Sequence, residues 1–312
     1  MNEITLTPIK EKQNTISVEA ETITPDNFAG KSIKDIESII LYHGNRAIPI
    51  KDYFTVEGTP SDDASEIKII IDGSVPRLKR VGEKMTTGEI LIKGDIDMHV
   101  GAEMIGGLIT IEGNADNYAG REMHGGTIHI KGNSLHYLGG SSRGTQKGMY
   151  GGNIIIDGSC GDHVGAYMQG GVVEIAGNVG QSAGMHMKNG TIIIGGNSFS
   201  RIGAEMANGK IFVKGTVHLT TASLGYGSEC GVVKDPEVEG RVVEGEFYEL
   251  RGDLGFEPKC GIGRIYAETK YNEHILPGGP VSIPRKGSMP PGRDMLNYVK
   301  MYHSEIKGEK YV

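Results

Sequence analysis

Gly107-Leu108-Ile109-Thr110-Ile111-Glu112-Gly113-Asn114 is answered nineteen positions later by Gly126-Thr127-Ile128-His129-Ile130-Lys131-Gly132-Asn133. The frame opens at Gly88 and returns at Gly152, Gly171, Gly190 and Gly209. Every step has the same length except Gly126 to Gly152, which is one period plus seven. A fixed period of this length marks a repeat architecture in which each unit buries its apolar face against its neighbours.

Aligned on those glycines, the sequence resolves into columns. Two residues on stand Ile90, Ile109, Ile128, Ile154, Val173, Ile192 and Ile211; four on stand Ile92, Ile111, Ile130, Ile156, Ile175, Ile194 and Val213. Apolar, mostly β-branched residues at period two predict a half-buried strand with both columns inward. The column between them is mixed, as for an outer face, although Ile155, Ile193 and Phe212 make part of it apolar. A second glycine then precedes Asp95, Asn114, Asn133, Ser159, Asn178, Asn197 and Thr216. Small polar residues after glycine suit a corner, and stacked amides can bond along the coil. A second short strand points Val100, Ala119, Leu138, Val164, Ala183 and Ile202 inward. A third face carries Met85, Met104, Met123, Met149, Met168, Met187 and Met206, one per period. That register reads as core filling.

Three short faces per period predict an all-β chain: a right-handed parallel β-helix with 19-residue turns ~4.8 Å apart. Residues 61–217 are assigned to this coil, 1–60 to a short α/β N-terminal cap, and 218–312 to an irregular C-terminal extension that caps or docks. Within the cap, 15–21 reads as a strand, 32–42 as a short helix ended by Gly44, and 48–56 as extended. The extension is expected to end in a helix over 293–305, and the repeat is expected to stop near Val217.

The chain of 312 residues carries a formal charge of −7. Its lysines are scattered rather than clustered, which argues against a nucleic-acid platform. Residues 1–12 lack an apolar leader core, and no run of about 18 apolar residues exists, so neither a signal peptide nor a membrane span is expected. Three cysteines, Cys160, Cys230 and Cys260, suit free thiols in a cytoplasmic protein.

The seven-residue insertion, near 140–147, is the one break in the coil. Insertions project from one face of a repeat array, often its binding face. Ser141, Ser142, Arg143 and Lys147 are therefore the candidate partner contact, with Arg143 as anchor. Gly140-Ser141-Ser142-Arg143-Gly144 matches G-x-S-x-G in form only, because that nucleophile needs a strand–turn–helix setting. The column His99, Tyr118, Tyr137, His163, Ser182, Arg201 should stack along one edge. Its two histidines are three turns apart, roughly 14 Å, too far to share an ion. Cys230, Cys260 and His274 lack zinc-ligand spacing. Asp97 and Asp116 stack on adjacent turns, but Leu135 and Gly161 follow, so the carboxylate cluster of a β-helix lyase is absent. No Walker loop, dinucleotide fingerprint, H-E-x-x-H or iron–sulfur cysteine run occurs. Catalytic, cofactor-binding and metal residues are therefore assigned to none.

The run Gly-x-Ile-x-Ile-x-Gly-Asn…Gly-x-x-Met-x-Gly-Gly resembles the GXGXG β-helix shared by glutamate synthase large subunits and the C subunit of formylmethanofuran dehydrogenase. Tyr42-His43-Gly44-Asn45-Arg46-Ala47-Ile48-Pro49-Ile50 with Asp52-Tyr53-Phe54-Thr55-Val56-Glu57-Gly58 is similar to the lead-in of that C subunit. So is Arg143-Gly144 followed by Gly148-Met149-Tyr150-Gly151-Gly152. The resemblance covers about residues 40–217. It implies an archaeal complex that reduces CO2 and fixes it as formylmethanofuran, the first step of methanogenesis from CO2. Within that complex it implies a non-catalytic scaffold docking a pterin-containing oxidoreductase subunit, an amidohydrolase-like subunit and ferredoxin-type subunits. Tungsten or molybdenum pterin, iron–sulfur clusters and zinc would all reside in those partners. The alternative is a glutamate synthase-type module bracing an amidotransferase.

Overall fold

The computed structural model describes residues 1–9, 16–219, 229–252 and 263–275. Thr15, Cys260, the side chain of Cys230 and the helix expected over 293–305 lie outside the described residues. The described chain is mostly strand with a few short helices.

Four-residue strands recur at Glu89–Ile92, Leu108–Ile111, Thr127–Ile130, Asn153–Ile156, Val172–Ile175, Thr191–Ile194 and Lys210–Val213. Each pairs in parallel with the next, and the partners are the residues of one sequence column: Ile90 with Ile109, Ile109 with Ile128, Ile128 with Ile154, Ile154 with Val173, Val173 with Ile192, Ile192 with Ile211. The pairing thus advances by one sequence period per strand. The longer step from Gly126 to Gly152 keeps this register, so the seven extra residues are carried elsewhere. Both expected core columns are buried, and so is every methionine of the third face. A second line of parallel bridges links Val75, Ile96, Ala115, Ser134, Cys160 and Val179, and becomes a three-stranded sheet at Val179–Gln181, Ser198–Ser200 and Val217–Leu219.

Two devices set the spacing. Gly88, Gly107, Gly126, Gly152, Gly171, Gly190 and Gly209 all have φ between +77° and +100°. Backbone of that kind favours glycine. A Cβ on Gly126 would sit 2.7 Å from Met104 Cε and 2.8 Å from the Gly107 carbonyl oxygen, one period below. At the polar corner, each side-chain oxygen accepts from the backbone N–H one period on. Asp95 Oδ1 takes Asn114 N–H at 2.7 Å, and Asn114, Asn133, Asn178 and Asn197 repeat the contact at 2.8 Å. Ser159 Oγ supplies the remaining rung at 3.0 Å.

The N-terminal strand Asn2–Pro8 enters the same sheet, parallel to Ile67–Ile71 and antiparallel to Phe54–Gly58. A helix does form after Ser32, which makes a capping box with Asp35, but it covers only Ile33–Glu37. The expected continuation to Tyr42 is instead a strand, Ile40–His43, turned at Gly44-Asn45 onto Arg46–Pro49. Exposed Ile40, buried Leu41 and exposed Tyr42 alternate with period two. The hairpin turn that follows is short and has Gly44 in left-handed backbone, the conformation such turns need. The expected strand over 15–21 is reduced to Val18–Glu19. The extended segment over 48–56 is broken by a 3-10 turn at Ile50–Asp52 that buries Ile50.

Parallel pairing also continues past Val217. Arg264–Glu268 lies beside Lys210–Val213 and sets Ile265 and Ala267 on the core columns. Glu246–Arg251 and Glu229–Lys234 follow it antiparallel. Phe247 and Tyr266 enclose Phe212, with Tyr266 stacked at 4.4 Å and Phe247 edge-on at 5.8 Å. The apolar residues of the outer column are therefore covered at this end.

Gly126→Ala should be far more damaging than Gly144→Ala. Both glycines are left-handed, at φ +82° and +87°, but a Cβ on Gly144 meets nothing within 4 Å. Urea unfolding should show about 1 kcal/mol lost at Gly144, the backbone cost alone, and at least about twice that at Gly126. Asn133→Ala should cost roughly 1–2 kcal/mol in the same assay. There the Ser159 N–H loses its acceptor.

Candidate functional site

Around Gly101, Gly120, Gly165, Gly184 and Gly203 the chain takes three left-handed residues at alternate positions, as in His99, Gly101 and Glu103, or Tyr118, Gly120 and Glu122; at Gly139, where the insertion begins, only Tyr137 and Gly139 do so. This geometry turns two columns of side chains outward. One is the expected edge column, where the rings of His99, Tyr118, Tyr137 and His163 stack at 5.0, 4.9 and 4.7 Å. The two histidines stand at opposite ends of that stack, and no cluster of three metal-ligating side chains occurs among the described residues. Burial, reinforced by the cations of Arg121, Arg80 and Lys79, pushes His99 down to about 4, so its ring is uncharged at neutral pH. Burial also lowers His163 and raises the phenol of Tyr137, on which Arg143 acts in the opposite sense.

The insertion leaves the array directly after Tyr137 and Gly139. Ser141 is buried, Ser142 half-buried, and 143–147 are exposed. The loop is pinned to the preceding repeat by a charged pair. Glu122 Oε1 accepts from Ser142 N–H and from Thr145 Oγ–H, both at 2.9 Å. Arg121 donates to Ser142 Oγ and, at 2.9 Å, to Glu103 Oε1. Burial opposes the charge on Glu122, but the hydrogen bonds from Ser142 and Thr145 and the nearby Arg121 outweigh it and hold the carboxyl below its usual value. The sequence singles out the loop and hides this clamp. Glu122 stands at the position of Glu103 one repeat earlier, so nothing in the pattern marks it.

Between ladder and loop opens a cavity of about 580 Å³, lined by Met98, His99, Asn117, Tyr118, His136, Tyr137, Ser142 and Arg143. Arg143 is thus brought to the groove, while Lys147 lies farther along the loop. Ser142, the serine of the G-x-S-x-G match, accepts at its Oγ from Arg121, a cation that supplies no general base, so the match stays formal. Cys160 is buried on a core column, and burial pushes its thiol up. On another face Ile105 and Tyr150 are exposed, with Tyr150 stacked on His124 at 4.6 Å. No helix among the described residues is long and apolar enough to cross a membrane.

No family model matches the chain. Over 100 residues, 32% of its length, it is 51% identical to the C subunit of the tungsten-containing formylmethanofuran dehydrogenase 2 of Methanothermobacter thermautotrophicus, of which the match covers 36%. It is 41% identical, again over 100 residues, to the C subunit of the molybdenum-containing formylmethanofuran dehydrogenase 1 of Methanosarcina barkeri, of which 33% is covered. The match therefore spans about a third of these curated relatives. In three dimensions the chain superposes on one chain of the formyltransferase/hydrolase complex of Methylorubrum extorquens, crystallised with methylofuran. The TM-score is 0.72 at 25% identity, over 85% of this chain and 99% of that one. The resemblance read from the residues holds: the curated relatives are named as a C subunit, and the structural neighbour is one chain of a multi-subunit complex.

Glu122→Ala should free the loop without unfolding the array. Trypsin cleavage after Arg143 or Lys147 should then accelerate about tenfold, the factor for a local opening eased by ~1.4 kcal/mol. His99 carries a pH signature of known sign. The unfolded chain takes up that proton near pH 6.5, whereas the folded chain waits until about 4. Stability therefore falls as pH drops through this window. Denaturant unfolding of His99→Phe between about pH 7 and about pH 4.5 should show a shallower decline than wild type.

Proposed function

We propose that this chain is the non-catalytic scaffold of a formylmethanofuran dehydrogenase complex, a cytoplasmic assembly that reduces CO2 and fixes it as formylmethanofuran. In this reading residues 61–217 are a right-handed parallel β-helix with 19-residue turns, 1–60 caps one end, and the extension from residue 218 caps or docks. The one-period advance of the parallel pairing supports the coil. The docking of Asn2–Pro8 and Arg264–Glu268 onto its first and last strands supports the caps, since an open end would expose unpaired backbone.

One observation carries the functional reading: a 100-residue segment keeps 41–51% identity to the C subunit of both metal forms. Strand lengths, glycine columns and polar corners are all committed to stacking, which suits a rigid body that holds other subunits in place. A pterin-containing oxidoreductase subunit and an amidohydrolase-like subunit are the expected cargo, with ferredoxin-type subunits beyond them. Tungsten or molybdenum pterin, iron–sulfur clusters and zinc would belong to those subunits. Ser141, Ser142, Arg143 and Lys147 form the contact, because the insertion alone breaks the array and its exposed stretch carries two cations.

Affinity isolation of the tagged full chain from its native source tests this. The expected result is recovery together with a pterin-binding oxidoreductase subunit and an amidohydrolase-like subunit, activity in the complex, and none in the chain alone. Arg143→Ala with Lys147→Ala should lower partner recovery by at least about tenfold if these residues anchor the contact. Recovery of a lone monomer from native extract, or turnover by the isolated chain, overturns the reading.

A further inference from the structure

We propose that the groove between the ring ladder and the insertion receives an acidic, extended segment of a partner protein, with Arg143 as charged anchor and the Tyr118 and Tyr137 rings as floor. The proposal deepens the scaffold reading and rests on it only for the existence of a protein partner.

Charge points to an acidic occupant. The exposed residues 143–147 include Arg143 and Lys147 and no acid, in a chain whose net charge is −7. The groove lining holds one formal cation, Arg143, and no carboxylate; the nearby carboxylates keep their charge but are turned to hydrogen bonds within the array. Glu122 holds the loop and Glu103 holds Arg121. Asp116 accepts from the Asn117 N–H, Asp162 from Gln181 N–H, and Asp97 from Ser17 Oγ–H and Met98 N–H. The Tyr137 phenol, held protonated, is a donor beside the arginine.

Shape points to an extended segment rather than a small acid. The floor runs from His99 to Tyr137 in two ring steps of 5.0 and 4.9 Å. That is the length of about three extended residues at ~3.3–3.6 Å each. The groove lies along the array instead of closing around a single molecule. A nucleic acid would want a continuous basic track, and two cations on one loop do not form one. The clamp of Glu122 and Arg121 presets the loop, which reduces the ordering cost on binding.

The test uses the full chain and a fluorescein-labelled octapeptide of alternating glutamate and leucine, with the lysine–leucine counterpart as control, followed by fluorescence anisotropy. Saturable binding of the acidic peptide is expected, weakened several-fold between about 50 and about 300 mM salt. Arg143→Ala with Lys147→Ala, both on the exposed loop, should weaken it at least about tenfold, while circular dichroism stays unchanged. Equal binding of the lysine peptide, no effect of the double variant, displacement by millimolar free glutamate, tighter binding of a short oligothymidylate, or no saturation at millimolar peptide each overturns the proposal. If the acidic peptide fails to bind while partner subunits are still recovered, the groove is refuted and the scaffold stands. If peptide binding persists but the partners are absent, the complex assignment fails alone.

Discussion

Close approach of one repeat to the next through glycine is the constraint on which the remainder of the molecule depends. At Gly107, Gly126 and Gly152 the backbone of one period lies where a Cβ would be, within 2.7–2.8 Å of the carbonyl oxygen one period earlier. That contact fixes the advance per repeat, and every parallel pair must follow it. Once it is fixed, Ile90, Ile109 and Ile128 lie in one line, and the core fills itself with copies of the same few side chains. The polar corner acts by the same spacing. An Asn oxygen reaches the N–H of its own counterpart because the counterpart is always one strand spacing away.

The same spacing accounts for a strained column. His99, Tyr118, Tyr137 and His163 are not glycines, yet all sit at φ between +60° and +66°. Left-handed backbone costs such residues on the order of 1 kcal/mol each. The strand repeat also places their rings 4.7–5.0 Å apart. Aromatic pairs attract in that range, and each contact contributes an amount of similar size. Strain and stacking offset one another along the column. Where no ring follows, Ser182 and Arg201 keep the backbone without the compensation.

Periodic features are legible in the sequence because repetition multiplies a weak local signal. One Gly-x-Ile-x-Ile proves little; seven in register dictate inward columns, glycine corners and a methionine face, and the inward positions are buried. The segment 40–42 reads as helix in the sequence because it occurs once, and a short apolar run lacks a decisive period. Arg264–Glu268 escapes the pattern for a related reason. Gly263, Ile265 and Ala267 keep the spacing of the frame, but a long non-repeating stretch separates Gly263 from Gly209, so no period announces them. The candidate site is half legible. Its loop is visible as an interruption, whereas the clamp of Arg121 and Glu122 lies inside an ordinary repeat and exists only through contacts with Ser142 and Thr145.

An interruption becomes informative when the array around it is regular. A lone surface loop has many tolerated lengths, since lengthening it costs little. This one differs in how firmly it is held. A half-buried carboxylate is kept charged by loop hydrogen bonds and an arginine, and the array on either side continues without a change of register. Tolerated insertions need no such clamp. Fixing an exposed stretch that includes Arg143 and Lys147 forfeits conformational freedom that the free chain has no reason to give up. The clamp becomes intelligible if the loop must meet a surface in one shape, and the groove it borders with Tyr118 and Tyr137 gives that surface somewhere to seat.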